Sequence, residues 1–512
     1  MAEVKRKPAT GRGALLSEDW MACLLGFLII LLIVAGLPVR RPSFSWTTDG
    51  QFRMQVAQKA PAVAELAREA EKQGEMELLA AATALSAAME TEARHVIGEA
   101  AKEMGEVKPV DAALAAEASS ISKDLATQAG RLPGNVLSRA NMGRSAFLGL
   151  LLLAFAAIGN VLLGRPAIRF IIGFPAVFIL AWLSMALAGN YSVHYYGLDF
   201  ALWALVIGLL ISNVLGLPPW IKEAVRTEYF IKTGLVMMGT GILFGEIIQA
   251  GAYGVIQAVL VVSVVWYIAY RLAKKLHMDD EFAAIMASAV SICGVSAAIA
   301  AAGAVQGDKK KLSYVTSIVM VVAIPMMILM PIFAKIVGMP DLVAGAWLGG
   351  TIDTTGAVVA AGALYSDAAM KVATIVKFSQ NVLLGVAAFI LAIVWSYKKG
   401  ATNGAPPSAA IIWHRFPKFV LGFLVASLVF SFLLAPDTVK AHSGILNFMR
   451  NMWFGMAFVS IGLETNFREL LGLQGFRPAM AFLGGQTVNI VWTLLLAYLL
   501  FSGIFFAAPA IS

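Results

Sequence analysis

Long apolar runs separated by short charged loops dominate this chain. Runs of spanning length, about 20 residues, lie at 20–38, 145–164, 169–188, 199–217, 229–247, 252–273, 313–337, 371–396, 416–434, 448–466 and 477–503. Between 41 and 143 the pattern changes to Ala- and Glu-rich sequence with helical periodicity, interrupted at Pro61, Gly74, Gly105, Pro109 and Pro133-Gly134. This predicts two or three helices packed as a hairpin or coiled coil, a spacer with no chemistry of its own. The pattern divides the chain into three parts. Residues 1–40 are a cytoplasmic N-terminus and first anchor, 41–143 a helical extracytoplasmic insert, and 144–512 the membrane domain that carries the candidate site. The first run has no small-residue cleavage site, so it reads as a retained anchor.

Two segments are apolar yet too rich in Gly, Ala and Ser for ordinary lipid-facing spans. One runs from Ser291 through Cys293, Gly294 and Ser296 to Ala304, within 282–305. The other runs from Thr355 through Gly356 and Gly362 to Ala363, within 344–364. They align on Gly303 and Gly362. Small residues let backbones approach closely, and paired Gly-interrupted segments point to the binding site of a transporter. Lys309, Lys310 and Lys311 follow the first segment. They stay on its starting side only if the segment is re-entrant; the alternative is a broken helix that crosses fully. In the re-entrant reading the two tips meet from opposite sides. A second pair, Gly234 to Gly241 and Gly455 to Gly462, opens spans of opposite direction and reads as the mark of inverted repeats. The fold class expected is all-α: a polytopic membrane protein with inverted repeats, two interrupted or re-entrant helices and a helical insert.

Composition agrees, with 59% hydrophobic and 14% charged residues. The net charge of +8 does not imply nucleic acid, because basic residues collect in cytoplasmic loops. Arg165 and Arg169, then Lys222, Arg226 and Lys232, then Arg271, Lys274 and Lys275 mark three such loops. Lys398, Lys399, Arg415 and Lys418 mark a fourth, and Arg468 and Arg477 a fifth. All fall inside if Lys5, Arg6, Lys7 and Arg12 hold the N-terminus inside. The expected location is the bacterial cytoplasmic membrane. Two Cys residues, Cys23 and Cys293, carry no disulfide framework.

Asp353 is the sharpest chemical candidate, since a carboxylate at membrane depth is costly unless protonated, hydrated, paired or bound to a cation. It is assigned to ion coupling with Thr351, through H⁺ or Na⁺. Ser291, Gly294, Ser296, Thr354 and Thr355 are assigned to substrate binding, with half-helix N-termini favouring an anion. Close helix packing is the alternative for the serines. Lys377 and Gln380 join the substrate set. Lys377 balances an anion, pairs with Asp353 or snorkels to the interface. Asn381, Gln486 and Asn489 are further buried amides, and Glu464 reads as interfacial.

These residues resemble the bacterial inner-membrane family that goes under the name sulfate exporter. The resemblance rests on Ser291-Ile292-Cys293-Gly294, Val358-Val359-Ala360-Ala361-Gly362, Ala373-Thr374-Ile375-Val376-Lys377 and Gly455 to Leu463, and covers about residues 145–505. It implies kinship with the cation–proton antiporter and anion transporter superfamily. The chain departs from the family pattern at Ile352-Asp353, where many members carry a His-Asp pair. It departs again at Gln380, often Arg, and in the insert. The function expected is secondary active export of a small anion (sulfate, sulfite or an organosulfonate) coupled to H⁺ or Na⁺. A coupled organic-anion uptake carrier or an anion channel is the alternative. No GxxxxGK[ST] or HExxH motif occurs, so neither ATP-driven transport by this chain nor enzymatic activity is expected. No cofactor or metal centre is expected beyond Na⁺ as a coupling ion. The partners expected are the substrate anion, the bilayer and a second copy of the chain.

Overall fold

The structure is a computed structural model that describes residues 17–195, 198–398, 410–465 and 476–509. Lys5, Arg6, Lys7, Arg12, Lys399, Arg468 and Glu469 lie outside the described residues. Helices account for the regular elements described, and an isolated bridge pairs Trp46 with Asn190. The described residues form two compact units, Arg40–Gly149 with Met185–Phe200 and the remainder.

Helix α1 (Glu18–Val34) belongs to the larger unit. The smaller unit is built on α2 (Asp49–Gln73), α3 (Met76–Glu90), α4 (Arg94–Glu106) and α5 (Ala112–Ala129). A reciprocal cap starts α2: Gln51 N donates to Thr48 Oγ1 at 3.3 Å and Thr48 N to Gln51 Oε1 at 3.0 Å. Phe52, Val56, Val63, Leu66 and Ala70 recur at helical spacing and bury against Leu85, Ile97, Met104, Ile121 and Leu125. Arg94 then closes the unit. It donates to Ala129 O and Gln128 O at the end of α5 and to Thr47 O. A cation there answers the orphan carbonyls and negative end of α5.

The insert therefore has four main helices rather than two or three. Pro61 does not interrupt α2: it lies inside the helix on an exposed position. The carbonyl it leaves without an N–H partner faces water, while Val56 and Val63 hold the buried side. The compact unit also takes in Met185–Phe200, beyond the 41–143 boundaries read from composition.

Apart from short helical turns, the other helices include α6 (Arg139–Leu162), α7 (Ala167–Ala188), α8 (Phe200–Leu210), α9 (Thr227–Met238) and α10 (Phe244–Lys275). Next come α11 (Asp280–Ser291), α12 (Val295–Val305), α13 (Lys309–Ile336), α14 (Asp341–Thr351), α15 (Thr355–Tyr365) and α16 (Asp367–Lys398). The last are α17 (Lys418–Leu428), α18 (Pro436–Glu464) and α19 (Phe476–Phe501). Among the described residues, 6 helices are long and apolar enough to cross a bilayer. Their apolar windows are only 33% to 50% buried within the protein, which leaves broad apolar faces for lipid. This is a multi-pass membrane protein. The single span expected at 229–247 is instead broken: α9 tightens into a 3-10 turn at Gly239–Gly241 and α10 starts at Phe244. Gly239, Gly241 and the extended Ile242 interrupt a run that hydropathy alone reads as continuous.

Both small-residue segments are re-entrant hairpins. Asp279 caps α11 through Phe282 N and also meets Lys311 Nζ at 2.9 Å, so the segment ends where it began. Ala298, Ala301, Ala302 and Val305 of α12 pack back on Ala283, Ala284, Ile285 and Ala289 of α11. In the second hairpin, Ser366 Oγ donates to Asp341 Oδ1 at 2.5 Å and Tyr365 OH donates to Met339 O. The 28-residue α13 joins one mouth to the other. At about 1.5 Å per residue it spans about 42 Å, so the mouths lie at opposite ends of a membrane span and the tips meet between them.

Candidate functional site

The site is built where the hairpin tips touch. The first chain reversal turns on Ile292 (φ −121°, ψ −87°) and Gly294 (φ +58°). Gly294 is needed twice over: its φ is left-handed, and a Cβ there would lie 3.1 Å from Asp353 Cβ. The second reversal bends through Ile352, Asp353 and Thr354, with Ile352 and Thr354 in extended conformation.

Behind the tips, the carbonyl ends of α11 and α14 converge. These are orphan acceptors carrying negative partial charge. Lys377 answers both: its Nζ donates to Ile292 O at 2.6 Å, Ile352 O at 2.8 Å and Gln380 Oε1 at 2.8 Å. Gln380 Nε2 in turn donates to Ser291 O at 3.0 Å and Gly350 O at 3.2 Å. From α19, Asn489 Nδ2 bridges Val290 O and Thr351 O, and Gln486 Nε2 also reaches Thr351 O. One lysine and two amides, Gln380 and Asn489, thus pin the tips together, and Gln486 holds only the second tip. All three ammonium hydrogens of Lys377 are committed there, and no direct ion pair joins it to Asp353.

Several buried oxygens at the tips have no donor: Asp353 Oδ2, Thr351 Oγ1, Ser291 Oγ and Gln486 Oε1. Unmet acceptors of this kind are costly, and a proton or a hard cation is what such oxygens accept.

In front of the tips lies a cavity of about 550 Å³. Its floor is the start of α12 (Val295, Ser296) and of α15 (Thr354, Thr355, Gly356), with Asn381 beside them. No side chain caps α12, and Ser296 is exposed to the cavity. Thr354 Oγ1 accepts from Ala357 N at 3.3 Å, and Thr355 Oγ1 accepts from Asn381 Nδ2 at 3.2 Å. Two helix N-termini with hydroxyls therefore face one space, an arrangement suited to negative charge. Beyond this floor, Ile292, Ile352 and Asp353 are at most 1% exposed.

A family model described as conserved hypothetical protein 698 matches residues 172–481. The chain belongs to this family. A membrane protein of Rhodopirellula baltica, UPF0324 membrane protein RB9488, is 41% identical over 76% of this chain and 74% of its own length. A UPF0324 membrane protein of Nitratidesulfovibrio vulgaris is 41% identical over 69% of this chain, which spans 63% of that relative. UPF0324 membrane protein NE0724 of Nitrosomonas europaea is 32% identical over 60% of the chain and 73% of its own length. No solved structure matches the chain. The stretch matched to conserved hypothetical protein 698 contains both hairpins and most of the cavity wall, and leaves out the insert helices α2 to α5.

Of the residues singled out from sequence, Ser296, Thr354 and Thr355 line the cavity. Ser291, Gly294, Thr351, Lys377 and Gln380 stand behind or within the tips, with Asp353 buried between them. Glu464, read as interfacial, lies on the cavity wall. Asp19, Thr227, Glu228 and Lys232 also line it and were not anticipated as site residues. A signal did exist: Thr227-Glu228 precedes the Gly234 motif and Glu464 follows the matching Gly455 motif. Cys293 and His414 are on the wall as well.

Proposed function

We propose that the chain is a secondary active transporter of a small anion, such as sulfate, sulfite or an organosulfonate, exported in exchange for or together with H⁺ or Na⁺. The observation that carries this is the shared cavity at the starts of α12 and α15, where Ser296, Thr354 and Thr355 offer hydroxyls beside two positive helix ends. Inverted repeats support alternating access to that cavity. Both α8 and α17 have 11 residues and continue into five-residue π-helical ends, Ile211–Leu215 and Val429–Leu433. Each precedes a Gly-motif helix, α9 and α18. Gly208 of α8 packs against Gly462 of α18, and Gly239 beyond α9 packs on α17 at Ala426.

Asp353 supplies the coupling group. Its buried, unpartnered oxygen takes up a proton or a cation, and Thr351 Oγ1, also buried without a partner, is a further oxygen for Na⁺. The cavity floor is closed by the tips, which favours a carrier over an open channel. The basic-loop pattern supports a cytoplasmic side for the Lys309–Lys311 mouth and an extracytoplasmic insert.

The test is flux into proteoliposomes of radiolabelled sulfate and of an alkylsulfonate, under imposed pH or Na⁺ gradients. Anion movement driven by one of these gradients is the expected result. Movement that ignores both gradients, or none at all from folded protein, would refute the proposal.

A further inference from the structure

The charge on the cavity wall is wrong for a simple anion. Asp19, Glu228 and Glu464 line it, against one ammonium, Lys232. That ammonium is shared: its Nζ lies 3.0 Å from Asp19, 3.5 Å from Glu228 and 3.7 Å from Glu18. Glu464 accepts from the Thr227 hydroxyl at 2.9 Å and has no ion pair among the described residues. A bare oxyanion crossing this wall meets like charge, which disfavours it.

The spacing resolves the conflict. A Cβ on Gly356, at the anion-favouring floor, would touch Ile231 Cδ1 at 3.4 Å and Ile461 Cδ1 at 3.5 Å. Glu228 lies three residues before Ile231 on α9, and Glu464 three residues after Ile461 on α18. Three helical residues rise about 4.5 Å. The two carboxylates therefore stand roughly one helical turn from the floor. A separate observation points the same way. Asn381, 5% exposed and on the cavity wall, donates to Thr355 but leaves its Oδ1 without a donor. That acceptor calls for an N–H or O–H from a ligand.

We infer that the ligand of this cavity is bipolar: an oxyanion at the starts of α12 and α15, joined by a short chain to an ammonium held by Glu228, Glu464 and Asn381. This rests on the anion reading above and narrows its substrate class to small zwitterions.

The test compares 2-aminoethanesulfonate, ethanesulfonate and sulfate by calorimetric titration of the full chain in lipid nanodiscs. The first two differ only by the amine. The amine-bearing ligand should bind about tenfold more tightly or better than ethanesulfonate, a difference a single well-placed charge pair supplies. Glu228→Gln and Glu464→Gln, measured separately, should each shrink that ratio. Glu228 is partly exposed, so its variant keeps the test valid if the other misfolds. Ethanesulfonate binding as well as or better than the amine, or an amine advantage that survives both variants, would overturn the inference while leaving the anion reading standing. Failure of all three ligands to bind folded protein would overturn both.

Discussion

Replacing Lys377 by Met removes the ammonium that pins the hairpin tips while keeping most of the side chain's length and volume. Three acceptors lose their donor: Ile292 O, Ile352 O and Gln380 Oε1. Each buried acceptor left unpaired costs about 1–3 kcal/mol. The lost attraction to the carbonyl ends of α11 and α14 adds about 0.3–1 kcal/mol per helix end. Relief of the burial cost of the lysine, several kcal/mol, works in the opposite direction, and Gln380 can turn to use its amide elsewhere. The net expectation is a destabilisation of about 2–5 kcal/mol. For large domains this corresponds to a melting shift on the order of 5 °C or more. The assay is thermal unfolding of purified protein in one detergent, with Lys377→Met and Asp353→Asn measured singly and together. The double variant should lose less than the sum, because neutral Asn no longer leaves a buried carboxylate without the nearby cation. A Lys377→Met protein that melts within about 1 °C of the parent would refute the pinning role.

Other outcomes follow from the same contacts. Asp353→Asn should abolish the dependence of anion flux on the pH or Na⁺ gradient more than it weakens anion binding, measured by flux and titration on one preparation. Arg94→Ala should destabilise the insert by about 2–4 kcal/mol, since it strands the carbonyls of Thr47, Gln128 and Ala129; protease sensitivity confined to α2–α5 would report it. At the first hairpin mouth, burial raises the Asp279 carboxyl. Its bonds from Phe282 N–H and Lys311 more than offset this and hold it below the ordinary carboxylate value. A depressed folded-state value contributes stability above the unfolded one, near 4, that fades as pH falls through the folded one. Hydrogen exchange across α11 should therefore be flat from neutral pH to about 5 and accelerate, beyond its intrinsic pH dependence, only in stronger acid.

The hairpins were legible because their cause is local. Runs of Ala, Gly and Ser permit backbone contact at the tips, and the lysines at 309–311 argue against a full crossing. Which hydroxyl faces the cavity was not legible. Ser291 and Ser296 are five residues apart, and the turn at Gly294 sends one behind the tip and the other onto the floor. Lys377 could be read as a substrate ligand, a partner of Asp353 or a snorkelling cation. Only the convergence of two carbonyl ends from separate hairpins explains where its hydrogens go. The wall residues Asp19, Glu228 and Glu464 come from three distant helices, so their meeting is a tertiary fact. In the insert, Pro61 looked like a breaker because sequence does not say which side of α2 its missing hydrogen bond faces.

The central claim is that an anion binds at the joint start of α12 and α15. The most direct measurement places one cysteine at Ser296 after replacing Cys23 and Cys293 by Ala. The rate of maleimide labelling is then followed with and without sulfate or an alkylsulfonate at constant ionic strength. The account expects the anion to slow labelling at position 296 in a saturable way, and to leave a control cysteine at exposed position 310 unaffected. Labelling at 296 that proceeds at the same rate with every anion, in protein that still binds one of them by titration, would contradict it.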